Sequence, residues 1–424
     1  MARPTTRPGS LSGTGAGMQY AGKDEMFALR DDPSGIETGI QPVTRVNPAA
    51  DEQDNDAGTP AADFLCFSHL RWGFVHQRPQ HLMERFSRHH RLFYVEEPVA
   101  ADIAEPGLAV YDTTCSIKLL VPQLPRGMHG AEAEAAQTAV LDKAFRDLGI
   151  TRPILWYYTP MSPQFADRLD ASVVVYDCMD ELSAFRGAPP ELVDRERALM
   201  ERADLVFTGG YSLWEVKRER HANAHPFPSS VDIPHFAQAR SIPEAADQSA
   251  IPGPRLGFYG VIDERFDIGL LDAVAALRPD WQFVMLGPVV KIDPDHLPRR
   301  PNIHYPGMRG YAELPAWLAG WDVALMPFAL NDSTRFISPT KTPEYLAAGC
   351  PVVSTPIADV IRHYGDSGVV RIADTPDAFV EACEWALSVD RSSPDWLAAI
   401  DRTLADMSWD QTWSRMKGLI ECVR

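Results

Sequence analysis

Short, almost wholly apolar runs recur along this chain, and stretches of helical spacing lie between them. FLCFS, RLFYVE, PILWYY, SVVVYD and DLVFTGG come first. PRLGFYG, WQFVMLG, DVALMPF, PVVS and GVVRI follow a polar break. A run that is apolar without alternation is a strand buried on both faces, and such strands belong to parallel sheets covered by helices. Strand–helix–strand units of that kind close right-handed. The series occurs twice, so the expected fold is α/β: two doubly wound, Rossmann-like domains facing across a cleft. No G-x-G-x-x-G follows either first strand, which speaks against a nicotinamide dehydrogenase.

The expected boundaries follow from composition. Residues 1–60 are rich in Gly, Pro, Thr, Asp and Ala and read as a disordered tail. Residues 61–240 are the first domain, 241–253 a polar, proline-containing linker, and 254–392 the second domain. Residues 393–424 read as C-terminal helices, the last opening at the capping box Ser408–Gln411. The hairpin LAVYD/SIKLLVP is expected at one edge of the first sheet.

Formal net charge is −18, which argues against general nucleic-acid binding. The cysteines at 66, 115, 178, 350, 383 and 422 form no CxxC pair, and no HExxH is present, so neither a disulfide framework nor a metal site is expected. No apolar run reaches the roughly 18 residues that span a membrane. The opening MARPTTRPGSLSG has no apolar core, so a cytoplasmic location is expected. The helix near Arg85 and Arg88, flanked by Arg78 and Arg91, is basic enough to rest on the inner membrane face, although a core-packing helix with a solvated basic face is the simpler reading.

One stretch, Ser338–Pro356 (SPTKTPEYLAAGCPVVSTP), is the best candidate for chemistry. Thr342 is expected as an N-cap, Pro343 at the first helical position and Glu344 in the first turn. Gly349 would end the helix in the left-handed conformation, with Pro351 preventing its continuation. Free N–H groups at the helix start, with Lys341 just ahead, would suit a phosphate or diphosphate. An ordinary loop-to-helix junction would read the same way.

Lys341, Glu344, Tyr345, Leu346, Ala347, Gly349, Pro351, Val352 and Val353 resemble the K-x-x-E-Y-L-A-x-G-x-P-V-V stretch of GT-B glycosyltransferases of the retaining family-4 type. The resemblance covers most of residues 63–424 and is strongest in 254–356. It implies a fold in which the C-terminal helices, residues 393–424, return to the first domain, the last of them crossing back onto it. It also implies a sugar-nucleotide donor in the second domain, with Glu344 on the ribose and no separate cofactor or metal. Thr342, Pro343, Lys341 and Gly287 would line the donor site, and Arg265, after the first strand of the second domain, would bind its phosphates. Trp72–Leu82 (WGFVHQRPQHL) resembles the first loop of bacterial glycosyltransferases of capsule and cell-wall operons, which makes Arg71, Trp72, His76, Gln77 and Arg78 candidates for the acceptor side. Asp177 and Asp180 lie at a strand's carboxyl end and resemble the group's Y-D-x-x-D segment; they could orient acceptor hydroxyls or act as a base. Ser229 and Ser230 stand where SSVDIPHF departs from the usual Asn-Gly.

The resemblance implies transfer of a sugar from a nucleotide-diphosphate donor to a hydroxyl acceptor, glycan or lipid-linked, in cell-surface polysaccharide assembly. Arg265 and Lys341 would stabilise the leaving diphosphate. The family often carries a second Glu eight positions before the ribose Glu; here that position is Phe336. This leaves open a non-catalytic nucleotide- or glycan-binding scaffold, and a nucleotide-sugar epimerase of the same fold, as rival expectations.

Overall fold

The computed structural model describes residues 41–42 and 62–424. The expected tail lies outside the described residues, except Gln41 and Pro42, which pair antiparallel with Asp112 and Tyr111.

The first sheet is built on parallel strands in the order Lys118–Pro125, Leu92–Glu96, Phe64–Ser68, Ile154–Tyr157, Val173–Cys178, Leu205–Thr208, Ala224–Pro226. Gly107–Asp112 closes the expected antiparallel hairpin at one side. The second sheet is entirely parallel, in the order Ile303–Gly307, Gln282–Leu286, Arg255–Tyr259, Val323–Met326, Val352–Ser354, Val370–Ile372. In both, the parallel series starts in the interior, moves out to one side, then returns past its first strand and proceeds to the other. Each domain therefore has a switch point beside its first strand, where ligands of open α/β sheets bind.

The apolar runs are buried as their composition demands. Phe64, Cys66, Tyr94 and Trp156 face one side of the first sheet, against Leu82, Met83 and Phe86 of helix Arg78–Phe86. Leu65, Phe67, Phe93 and Tyr157 face the other, against Leu141 and Phe145 of helix Gly130–Asp147. The side chains alternate across the pleat, but both faces are covered, so no polar alternation survives in the sequence.

Three expectations at the domain joins are corrected. Val231, Phe236 and Ala239, placed by sequence in the first domain, belong to the second domain's core. Residues 241–253 are not a free linker: Gln248 is fully buried, and its amide donates to the carbonyls of Ala316 and Trp317. Of the C-terminal helices, Pro394–Leu404 stays on the second domain through Ile400 and Leu404. Only Trp409–Val423 crosses back, where Trp409, Met416 and Ile420 join the first domain's core. Its capping box is as read: Ser408 Oγ accepts from Gln411 N–H at 3.2 Å.

The basic helix is largely neutralised within the chain. Arg78 pairs with Asp177, Arg85 with Asp410 and Arg91 with Asp63. Arg88 is exposed, and Arg91 is half exposed although paired. Among the described residues no helix is long and apolar enough to cross a membrane.

Candidate functional site

The loops at the second domain's switch point are held in contact by two glycines. Gly260 and Gly287 end the strands Arg255–Tyr259 and Gln282–Leu286 at φ +139° and +136°, conformations that L side chains avoid. A Cβ on Gly287 would sit 1.9 Å from the Gly260 carbonyl oxygen. Gly287, expected to bind donor, spends its N–H on the Gly307 carbonyl at 3.0 Å; what it contributes is the close approach of two backbones. A Cβ on Gly260 would sit 2.1 Å from Lys341 Cε and 2.8 Å from Nζ. The missing side chain at 260 is thus the channel through which Lys341 reaches the strand ends.

Helix Lys341–Ala347 starts earlier than its sequence suggests. Thr340, not Thr342, precedes it, and the Thr340 carbonyl accepts from Glu344 N–H at 3.4 Å. The proline at 343 is compatible with this start because the first four N–H groups of a helix have no internal partner anyway. Lys341 is therefore in the first turn rather than ahead of it. Thr342 is buried, and its hydroxyl has no hydrogen-bond partner among the described residues. Gly349 ends the helix at φ +83°, as expected.

Glu344 is 6% exposed, and one of its carboxylate oxygens accepts from the Tyr259 hydroxyl. Tyr345 clamps the same strand end, its hydroxyl accepting from Tyr259 N–H at 3.0 Å. Burial dominates both neighbouring charges. It lowers the Lys341 ammonium to about 8, helped by the nearby Arg265, and raises the Glu344 carboxyl to about 7 against the pull of Tyr259 and Lys341.

Arg265 does not pair with Glu264 or Asp267. Its Nε donates to Asp263 at 3.0 Å and its Nη2 at 2.7 Å, while Asp267 caps helix Ile268–Leu277. Burial opposes the guanidinium's charge, but Asp263 more than offsets it and its pKa is raised. Asp180, from the first domain, completes the group across the cleft. Burial raises its pKa, while Arg265, Arg78 and Lys341 act against that rise. One acid of the first domain and two cations of the second thus share one electrostatic environment.

Asp177, expected beside Asp180 in catalysis, is instead fully buried and forms a two-pronged pair with Arg78, at 2.9 Å to Nε and 2.8 Å to Nη2. Arg78 Nη1 also donates to the Phe227 carbonyl. Both residues leave the list of groups available to a substrate; they tie helix Arg78–Phe86 to the sheet. Arg71 is similarly occupied, by Glu96 at 2.9 Å and the Glu97 carbonyl at 2.6 Å, and Trp72 packs edge-on against Tyr94. Gln77 N–H is satisfied by Gln80. His76 does face the other domain: its ring centroid lies 4.4 Å from that of Tyr311.

Sequence reasoning missed several residues here. Tyr311 stacks on His235 at 4.3 Å, and its buried hydroxyl has no hydrogen-bond partner among the described residues. Phe185 places its ring 5.4 Å from the Arg265 guanidinium and 5.0 Å from Lys291 Nζ, so a first-domain aromatic covers two second-domain cations. None carries a local motif; only the closure of the two domains brings them together.

Residues 253–388 match the family described as Glycosyl transferases group 1. Over 253 residues, 56% of this chain, the sequence is 26% identical to TuaH of Bacillus subtilis (strain 168), assigned by name to teichuronic acid biosynthesis as a glycosyltransferase. The chain spans 64% of that relative's length. Among solved structures, the sucrose-phosphate synthase of Thermosynechococcus elongatus superposes with a TM-score of 0.63 at 14% identity, covering 85% of this chain and 99% of that one. A UDP-forming trehalose-phosphate synthase from Burkholderia xenovorans gives 0.61 at 10% identity, with the same coverage. The catalytic domain of Arabidopsis thaliana starch synthase IV, bound to ADP and acarbose, gives 0.57 at 10% identity, again over 85% and 99%. The fold of the two domains is therefore GT-B.

Proposed function

We propose that the protein transfers a sugar from a nucleotide-diphosphate sugar to a hydroxyl acceptor in the assembly of a cell-surface polysaccharide or glycan. The observation that carries this reading is the placement of Lys341 at the strand ends through the gap at Gly260, on the same helix as the buried carboxylate of Glu344, with Arg265 in the adjoining loop against Phe185 of the first domain. A departing diphosphate gains negative charge in the transition state. Cations already fixed and desolvated at that place interact more strongly with the transition state than with the ground state, which lowers the barrier. The chain itself supplies that charge, so the reaction is read as needing donor and acceptor alone. Glu344 would accept from the ribose hydroxyls, with Thr342 and Pro343 lining the same helix start.

With Asp177 committed to Arg78, Asp180 is the acid left to orient the acceptor hydroxyl or receive its proton. The resemblance of residues 341–353 supports a retaining, hexosyl-transferring reaction with front-face attack and no protein nucleophile. TuaH supports a polysaccharide product, and ADP in starch synthase IV supports a nucleotide donor. Phe336 favours one other reading, a binding scaffold: it packs against the first domain's core where a carboxylate would serve the sugar. Donor hydrolysis and transfer assays separate the two. The enzyme should turn over donor, and Lys341→Ala and Arg265→Ala should each lower turnover roughly 100-fold while the fold persists. A protein that binds nucleotide but never releases sugar from any donor is the scaffold.

A further inference from the structure

Glu264 precedes Arg265, and its side chain is 13% exposed. Both carboxylate oxygens are buried and accept no hydrogen bond among the described residues. Lys291 Nζ lies 3.8 Å away, beyond hydrogen-bonding distance. Arg265, the neighbouring cation, is taken up by Asp263. The Lys291 ion pair offsets the charge but leaves the carboxylate's hydrogen-bonding capacity unfilled, and a ligand that brings donors accounts for it most simply.

The surroundings show where that ligand lies. Lys291 also stands 5.0 Å from the ring of Phe185, so this corner is bounded by both domains. Lys291 has φ +59°, a left-handed conformation uncommon for a residue that carries a side chain. The Glu264 carbonyl accepts from Asn331 Nδ2 at 2.9 Å, which fastens the Asn331–Arg335 segment beside it. That segment leads to Phe336, which turns its ring to the first domain and offers no acceptor.

We propose that Glu264 binds the hydroxyl groups of the donor's sugar. The inference rests on the glycosyl-transfer reading. An ionised carboxylate only accepts hydrogen bonds. A phosphate placed directly on it would be repelled. Neutral hydroxyls remain, and a sugar whose β-phosphate meets Arg265, which has only Nε and Nη2 engaged by Asp263, would present them one residue away.

The test is calorimetric titration of wild type and Glu264→Gln with UDP, GDP, ADP and dTDP, and then with the glucose, galactose, mannose and N-acetylglucosamine conjugates of whichever nucleotide binds. The conjugate that wild type binds most tightly should lose about 10- to 100-fold in affinity in the variant, as expected for hydrogen bonds to a charged group. The bare nucleotide should bind within about twofold of wild type. Glu264→Gln should keep the circular-dichroism spectrum of wild type, because the amide has the same shape and keeps an acceptor oxygen toward Lys291. Equal losses for nucleotide and conjugate, or no loss for either, would overturn the role of Glu264. Failure of every nucleotide to bind wild type would instead overturn the glycosyl-transfer reading beneath it.

Discussion

Asp177→Ala is the substitution that best separates a structural acid from a catalytic one. Asp177 is fully buried, and its pair with Arg78 is made of two charge-assisted hydrogen bonds of 2.8 and 2.9 Å. Removing the carboxylate leaves a guanidinium only 5% exposed, with the Phe227 carbonyl as its remaining partner. Breaking one side of a buried pair costs about 3–5 kcal/mol. At about 2–4 °C per kcal/mol for a domain of roughly 150–250 residues, Tm should fall by roughly 6–20 °C. Differential scanning calorimetry of wild type, Asp177→Ala, Arg78→Met and the double variant measures this. The double variant should lose less than the sum of the single losses, because it leaves neither charge stranded. If Asp177→Ala melts with wild type yet abolishes turnover, the carboxylate acts on substrate and the assignment is wrong.

Gly260→Ala should put a methyl group where Lys341 Cε now runs and force alanine to φ +139°; we expect a stability loss of about 1–3 kcal/mol by chemical denaturation, with weakened donor binding by calorimetry. Lys341 titrates at about 8 because burial disfavours its charged form, so it carries its positive charge below that pH and loses it above. Nucleotide affinity should therefore fall as pH rises through about 8, and a flat profile from about pH 7 to 9.5 would contradict the role of Lys341. Asp359 of the second domain accepts from the Tyr211 and Ser212 N–H groups at 2.9 and 3.0 Å, capping a first-domain helix. Asp359→Ala should cost about 0.5–2 kcal/mol, read as a lowered Tm.

The fold was legible because strands buried on both faces leave uninterrupted apolar runs, and because Gly349 and the Ser408–Gln411 pair mark helix ends chemically. The joins were less legible. Asp232–Ala239 reads like the end of the first domain, yet Phe236 packs into the second, a choice made by tertiary contacts that leave no local pattern. The helix start was misplaced by two residues because proline is tolerated anywhere in the first turn, so Pro343 does not fix the first position. At the site, Lys341, Glu344 and Arg265 were singled out by the chemistry of a helix start and by resemblance, signals that lie within short stretches of sequence. Asp177 was misassigned because a buried ion pair and a catalytic acid look alike at a strand end; its partner Arg78 lies 99 residues away. Phe185, Tyr311 and Lys291 gain their roles only across the domain boundary, which no window of sequence contains.

The central claim is that the cleft holds a nucleotide-diphosphate sugar with Glu344 on its ribose. The direct measurement is calorimetric titration of UDP, GDP, ADP and dTDP into wild type and Glu344→Ala. The geometry predicts that one nucleotide binds wild type and binds the variant about 10- to 100-fold more weakly, as for lost hydrogen bonds to a charged group, with the fold intact by circular dichroism. Binding of equal strength to both proteins would contradict the assignment of Glu344. No binding to either would contradict the donor site as a whole.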